Sequence, residues 1–178
     1  MSRYSAAVVG LVLAVAVAAP AAAQNRPFYF LGAGLTMPTG EYGDYAKSGW
    51  MLDGGVGLPM GTDGKMWVGG DVMYGSNKHE GSAGDKTNLY GASGNVGYQF
   101  VPNALSPYVY GTAGLLVHSY SPGDSGFDSE SDTSFAWGGG AGVAAPVGGA
   151  SIWAEARYVS RGDTKFIPIL VGVTIGGG

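Results

Sequence analysis

The sequence predicts an all-β protein: an eight-stranded antiparallel up-and-down transmembrane β-barrel, preceded by a cleavable signal peptide. Three observations predict it. The charged residues of the strand-like segments, among them Asp53, Asp71, Glu155 and Arg157, fall on one side of a two-residue alternation. The opposite side is apolar for its whole length, reading Trp50, Leu52, Gly54, Val56, Leu58 in one segment and Ile152, Ala154, Ala156, Tyr158 in another. Successive side chains on a strand point to opposite faces, so one face has no ionisable group and the other carries carboxylates and a guanidinium. A closed barrel with lipid outside and a polar lumen is built this way. The third observation is that short and long connections alternate along the chain.

Residues 1–23 read as a targeting segment and 24–178 as the barrel domain. Arg3 gives a short basic start, Ala6 to Ala19 is an uncharged apolar run, and Pro20 precedes the small residues Ala21-Ala22-Ala23, where cleavage is expected. This pattern directs Sec-type export. Roughly 155 residues remain, enough for one domain. The chain has no cysteine, which excludes disulfides, thiolate metal sites and a lipid-modified N-terminal cysteine. Its formal charge of −4 becomes about −5 without Arg3. An acidic chain with no basic cluster argues against a nucleic-acid partner. Charged residues are 12% of the chain, about half the share of a soluble domain, and there are 34 glycines.

The strands follow in order. Phe28–Met37 turns Tyr29, Leu31, Ala33 and Leu35 outward. Trp50–Leu58 and Lys65–Tyr74 place Asp53 and Asp71 inward, and Thr87–Phe100 places Asn95 and Gln99 inward. Pro107–Tyr120 turns Leu115 outward and His118 inward. Ser134–Ala145 has Phe135, Trp137, Ala141 and Val143 outside. Ser151–Arg161 brings in Glu155 and Arg157, and Phe166–Ile175 shows Ile169, Val171 and Val173 to lipid. Each is near the ~9–11 residues that span a bilayer when tilted. The connections after the second, fourth and sixth strands are short. Those after the first, third and fifth are about twice as long, and Gly162–Lys165 is the exception. Outer-membrane barrels keep short turns at the periplasmic rim and longer loops outside.

Outward aromatics form two predicted girdles. Tyr29, Tyr98 and Phe100 fall at the periplasmic rim, and Trp50, Tyr74, Tyr90, Phe135, Trp137 and Tyr158 at the outer one. Amphipathic rings favour the headgroup level. Prolines fall at strand ends or in connections, as a closed barrel requires, except Pro168, which argues for a later start to the last strand. Glycines inside strands (Gly54-Gly55, Gly69-Gly70, Gly138-Gly139-Gly140) either make room for large inward side chains or mark bulges.

The segments Pro107-Tyr-Val-Tyr-Gly-Thr-Ala-Gly, Trp137-Gly-Gly-Gly-Ala-Gly-Val, Trp153-Ala-Glu-Ala-Arg-Tyr and Phe166-Ile-Pro-Ile resemble those of the small outer-membrane β-barrel family, OmpA/OmpX-like and opacity-like "porin family" proteins. The resemblance runs from about Phe28 to Ile175. It implies insertion by the outer-membrane assembly machinery and a structural or loop-borne adhesive role. The family pattern ends on an aromatic residue that this machinery reads, whereas this chain ends Thr174-Ile175-Gly-Gly-Gly.

Asp53, Asp71, Asn95, Gln99, Glu155 and Arg157 are expected to form a structural lumen network, with Arg157 as counter-ion because a confined carboxylate is costly unless paired. Eight strands should leave a packed core, not a channel. Three acids against one Arg leave excess negative charge, which Lys65 and Arg161 near the rims would partly offset. His118 with Ser119 raises the possibility of acyl transfer, as in lipid A-modifying barrels. Ser119 points to the other face and no motif accompanies the pair, so no catalytic residue, metal site or cofactor is expected. His79, between Lys78 and Glu80, and the acids Asp124, Asp128, Glu130 and Asp132 are expected to be solvated loop residues.

The expected protein is thus a non-enzymatic outer-membrane barrel. Its partners are membrane lipid, lipopolysaccharide, the assembly machinery and a surface ligand met through the outer loops. The rival reading is a soluble lipocalin-like barrel, with Asp53, Asp71, Glu155 and Arg157 facing water and Leu52, Val68, Val72 and Ile152 lining a ligand cavity.

Overall fold

The computed structural model describes residues 26–81, 84–101, 105–123 and 130–177. The expected signal peptide and the loop residues Asp124 and Asp128 lie outside them. Eight strands follow in chain order: β1 (Phe28–Thr39), β2 (Gly49–Met60), β3 (Met66–Lys78), β4 (Lys86–Gln99), β5 (Ser106–Ser121), β6 (Glu130–Val147), β7 (Ala150–Arg161) and β8 (Thr164–Gly176). Each pairs antiparallel with its neighbour, and β8 pairs with β1 from Phe28↔Gly176 to Thr39↔Lys165. The barrel is therefore closed and has no edge strand.

The alternation read from the sequence fixes which face is which. Asp53, Asp71 and Arg157 are 1%, 3% and 3% exposed, whereas Leu31, Val171 and Ile152 are 63%, 61% and 52% exposed. Leu52 and Val72 are also outside. This orientation overturns the lipocalin-like reading, which needs those aliphatic side chains inside.

Two strands extend further toward the loop end than expected. β3 continues past Tyr74 to Lys78, and β6 begins at Glu130. The added residues are polar, and they continue the ladders through Lys78↔Lys86 and Tyr120↔Glu130. Hydrophobic alternation marks only the part of a strand that meets lipid; backbone pairing persists beyond it. At the same rim β7 turns into β8 through Gly162 and Asp163. Gly162 has φ +54°, the left-handed conformation that a two-residue hairpin needs.

Pro168 does not mark a late strand start. β8 begins at Thr164, and Pro168 is fully buried and pairs with Thr36 of β1. On its other side the β7–β8 ladder runs from Ala150↔Ile175 to Ala156↔Ile169 and resumes at Val159↔Phe166. The missing donor is thus absorbed as a local gap in one ladder, opposite Arg157, with the register unchanged.

Every strand pair keeps a single register from end to end, so the glycines do not mark bulges. Several instead lie under inward rings. A Cβ on Gly57 would meet the Phe28 ring at 2.1 Å, one on Gly97 the Trp67 ring at 2.2 Å, and one on Gly32 the Trp153 ring at 2.3 Å. Gly140 and Gly142 stand in the same relation to Tyr110 and Tyr108, each at 2.6 Å. A narrow lumen accommodates large rings by giving them positions without side chains. Gly172 is constrained by backbone and ring together, since a Cβ there would lie 2.3 Å from both the Leu31 carbonyl oxygen and the Trp153 ring. No rotamer change relieves the backbone clash. Gly172→Ala is therefore expected to destabilise the barrel by about 1–3 kcal/mol. Outward-facing Gly111, with nothing within 4 Å of its Cβ position, should accept Ala without loss. Urea titrations of the two variants, followed by heat-resistant gel mobility, compare them directly.

The lumen is layered. From the turn end, where β1 starts and β8 ends, come inward aromatics, then the charged cluster. Above it is an apolar layer of Met51, Met73, Leu89, Leu116, Phe166 and Leu170, all buried. The expected packed core occupies this loop half, while the turn half encloses a cavity of about 420 Å³.

Candidate functional site

Arg157 is the centre of the lumen cluster. Its Nη2 lies 2.5 Å from Asp53 Oδ2 and 3.2 Å from Glu155 Oε1, and its Nη1 lies 3.0 Å from Asp71 Oδ2. Its Nε donates to the Tyr110 hydroxyl at 2.6 Å. That hydroxyl donates in turn to Glu155 Oε1 at 2.5 Å, and Tyr108 donates to Glu155 Oε2 at 2.9 Å. Asp71 Oδ1 accepts from Asn95 Nδ2 at 2.8 Å and from the Ser93 hydroxyl, which itself accepts from Thr112 at 2.8 Å. The guanidinium also lies over the Tyr110 ring, 5.3 Å from its centroid. A planar guanidinium suits this place because its forked donors reach several oxygens at once.

Five of the six residues expected in the lumen network come together. Gln99 does not join them. It stands at the turn end, its backbone N–H bonded to the Lys65 carbonyl at 2.8 Å, and its side chain faces the cavity. Tyr108, Tyr110, Ser93 and Thr112 are partners that charge patterning does not reveal. They answer part of the excess of acids: neutral hydroxyl and amide donors satisfy Asp71 Oδ1 and Glu155 Oε2, which no cation reaches. Lys65 and Arg161 take no part in this cluster. The signal for the tyrosines was their inward alternation in Pro107-Tyr-Val-Tyr.

The loop end holds a second constellation. The connection after β1 contains a 3₁₀ turn, Gly40–Asp44, that sets Tyr42 fully buried in the barrel mouth. Tyr42 meets His118 edge to face at 5.8 Å, and His118 Nε2 has no hydrogen-bond partner. Asn77 Nδ2 ties β3 to Thr36 Oγ1 at 2.7 Å and to the Lys47 carbonyl at 2.8 Å. Arg161 pairs with Asp132, which lies in β6 and is not a free loop acid.

His79 is likewise not solvated. It stacks on Tyr120 at 5.2 Å, meets Tyr45 edge-on at 5.3 Å, and bonds Thr87 Oγ1 at 2.8 Å through Nε2. Strand extension beyond the membrane brings these aromatics over it. Burial holds its pKa below the ordinary histidine value, against the opposing pull of Asp85. The neutral ring is the one the folded loops favour. Its stabilising share is therefore complete above the unfolded value of 6.5 and is lost as pH falls through the lowered folded value. Amide exchange at Lys47 and Glu80, corrected for intrinsic rates, is expected to speed up between about pH 7.5 and 5. A His79→Gln variant should lack that pH dependence.

The aromatics expected in girdles occupy the outer surface near the two rims. Tyr29 and Tyr98 lie at the turn end, with Phe100 one residue beyond β4; Tyr98 and Phe100 meet at 5.2 Å. Near the loop end Trp50, Tyr74 and Tyr90 form a continuous row, with centroids 5.2 and 5.0 Å apart. Trp137 and Tyr158 meet at 6.3 Å on β6 and β7, and Phe135 is 62% exposed.

A family model described as the outer membrane protein beta-barrel domain matches residues 7–175. The chain belongs to this family. Two solved structures are similar in fold. Neisserial surface protein A aligns with a TM-score of 0.64 and 18% identity, over 84% of this chain and 96% of that one. Ail, the attachment invasion locus protein of Yersinia pestis, aligns with a TM-score of 0.56 and 18% identity, over 84% and 97%. Ail is also known in complex with the heparin analogue sucrose octasulfate. No curated protein matches. This member of the outer-membrane β-barrel family is an integral protein of the Gram-negative outer membrane, with its uncharged face in lipid.

Proposed function

We propose that the protein acts at the cell surface through its loop-end rim, as a non-enzymatic barrel with an adhesive or structural role. The observation that carries this reading is the apolar layer of Met51, Met73, Leu89, Leu116, Phe166 and Leu170 above the charged cluster. It gives ions no polar path from rim to rim, so the lumen is a structural brace. His118 packs edge to face on Tyr42, and among the described residues its Nε2 has no hydrogen-bond partner, so the ring is read as part of the packed mouth and not as a general base.

The loop end is the natural surface for a ligand, as its described residues are tied together by the Asn77, His79 and Arg161 contacts. Ail's complex with a heparin analogue supports an adhesive role for this architecture. Charge argues for a different ligand here. Around this rim Lys47, Lys78, Lys86, Arg161 and Lys165 are outnumbered by Glu41, Asp44, Glu80, Asp85, Glu130, Asp132 and Asp163. A polysulfated chain would be repelled; a neutral or basic protein surface fits. In the same reading residues 1–23 direct Sec-type export and the assembly machinery inserts the barrel. The outward aromatics anchor it at the headgroups among lipid and lipopolysaccharide.

The test is adhesion of a non-adherent Gram-negative host displaying the protein to immobilised matrix proteins. Replacing residues 122–129 with a Gly-Ser linker should abolish adhesion while leaving heat-modifiable gel migration intact. Adhesion unchanged by that replacement and by a matching replacement of residues 79–85 would overturn the reading.

A further inference from the structure

The outer face of the loop end carries a row of like charges. Lys78 and Lys86 stand directly opposite one another as the last pair of the β3–β4 ladder, and both are exposed. Their neighbours fix their direction. Lys78 lies between Asn77, fully buried, and His79, which turns in to Thr87 and Tyr120; Lys86 lies between Asp85, bonded to Tyr120, and the fully buried Thr87. Both lysines therefore point outward. Lys47 extends the row: the bridge Ala46↔His79 sets it opposite Lys78, its N–H bonded to the Lys78 carbonyl at 2.7 Å, and it too is exposed.

Like charges opposed across a ladder repel one another, and no acid of the described residues pairs with this row. The ion pairs there belong to Arg157 and Arg161. The Asp85 carboxylate accepts from the Tyr120 hydroxyl at 2.6 Å and the Gly123 N–H at 2.7 Å, on the inner side of the wall. Glu80 lies two residues beyond Lys78, on the side away from the membrane. Acids outnumber lysines around the rim as a whole, but none lies on this face between the row and the aromatics. There Ser76 stands opposite Asn88, and next come Tyr74 opposite Tyr90, whose rings continue to Trp50.

The lysines stand four residues beyond the tyrosines, about 10 Å further from the hydrocarbon on a tilted strand. Aromatic girdles mark the edge of the hydrocarbon, and a lysine stem lets its ammonium reach several ångströms along the wall, so the row meets lipid phosphates. We propose that Lys47, Lys78 and Lys86 bind the phosphate groups of a lipopolysaccharide headgroup, in the place that divalent cations take between such headgroups. The inference deepens the surface reading and rests on its placement of the loop end in the outer leaflet. Neighbouring strands are about 4.8 Å apart, so the row spans about 10 Å. A bis-phosphorylated disaccharide fills that span; a single phosphodiester does not. Lys165 also faces outward, between buried Thr164 and Phe166, but it stands opposite Thr39 and Ser160 and has no second lysine beside it.

Native mass spectrometry of the folded protein in detergent tests this with hexa-acylated lipid A bearing both phosphates, the same lipid bearing none, and phosphatidylglycerol. The bis-phosphorylated lipid should be retained at least about tenfold more tightly than either of the others. Lys78→Gln with Lys86→Gln should weaken it by at least about tenfold while heat-resistant migration persists, and Lys78→Gln alone carries the test if the double variant fails to fold. Lys65→Gln with Lys165→Gln, an equal loss of charge away from the row, should leave it unchanged. Equal retention of the phosphate-free lipid or of phosphatidylglycerol, no weakening by the row variants, or equal weakening by both pairs would each overturn the proposal. Glu80→Cys on intact cells, treated with a membrane-impermeant maleimide, reads the orientation separately. Labelling without a preference for phosphorylated lipid A would overturn this inference alone; no labelling would overturn the surface reading and this inference with it.

Discussion

Arg157→Met is expected to cost the folded barrel about 3–5 kcal/mol, because it leaves Asp53, Asp71 and Glu155 facing one another in a lumen closed to bulk water on one side. The loss comes less from the broken hydrogen bonds than from like charges held together without their counter-ion. Arg157→Lys should fall between the two, as an ammonium keeps the charge but cannot reach Tyr110 and three carboxylates together. The decisive control adds Asp53→Asn and Asp71→Asn to Arg157→Met. Removing the stranded charges should restore much of the stability, and no recovery would mean that packing, not charge, is what Arg157 provides. Urea-dependent unfolding in detergent or lipid gives all three values.

The second large effect lies on the outer face. Val171 is midway along β8, paired with Ala33 and Ala154, and is among the most exposed side chains of the barrel. In a bilayer that exposure is to hydrocarbon. Val171→Arg should destabilise the protein by about 2–4 kcal/mol, whereas Ile175→Arg, on the same face of the same strand at the periplasmic rim, should cost about 0–1 kcal/mol. A soluble barrel would tolerate both equally. The depth dependence separates a lipid face from a merely apolar one, and folding into vesicles measures it.

The period of two was legible because burial leaves a charge pattern. Asp53, Asp71, Glu155 and Arg157 could be assigned to one interior from residue type and parity alone, and the closed topology followed from alternating loop lengths. Three features were not legible, for separable reasons. The extensions of β3 to Lys78 and β6 to Glu130 lie outside lipid, where ladder hydrogen bonds persist without hydrophobic alternation. The packing of His79 against Tyr45 and Tyr120 depends on contacts between segments far apart in sequence, so it read locally as a solvated residue, and the burial of Tyr42 left no local signal. The cavity arises because the aromatic half of the lumen places rings over glycines, and ring packing does not fill space as methionine and leucine do in the other half. Pro168 adds a fourth lesson, since a proline can sit inside a closed barrel where one ladder tolerates a gap.

The most direct test of the inside-out arrangement uses the absence of native cysteine. Single cysteines placed in turn at Ile169, Leu170, Val171, Val173 and Thr174, spin-labelled in vesicles, report collision with oxygen dissolved in the bilayer. Expected is an alternation by parity, with high oxygen contact at 169, 171 and 173 and low contact at 170 and 174. Equal contact along the five positions, or the reverse alternation, would contradict the placement of lipid on the uncharged face and of ionised groups within the barrel.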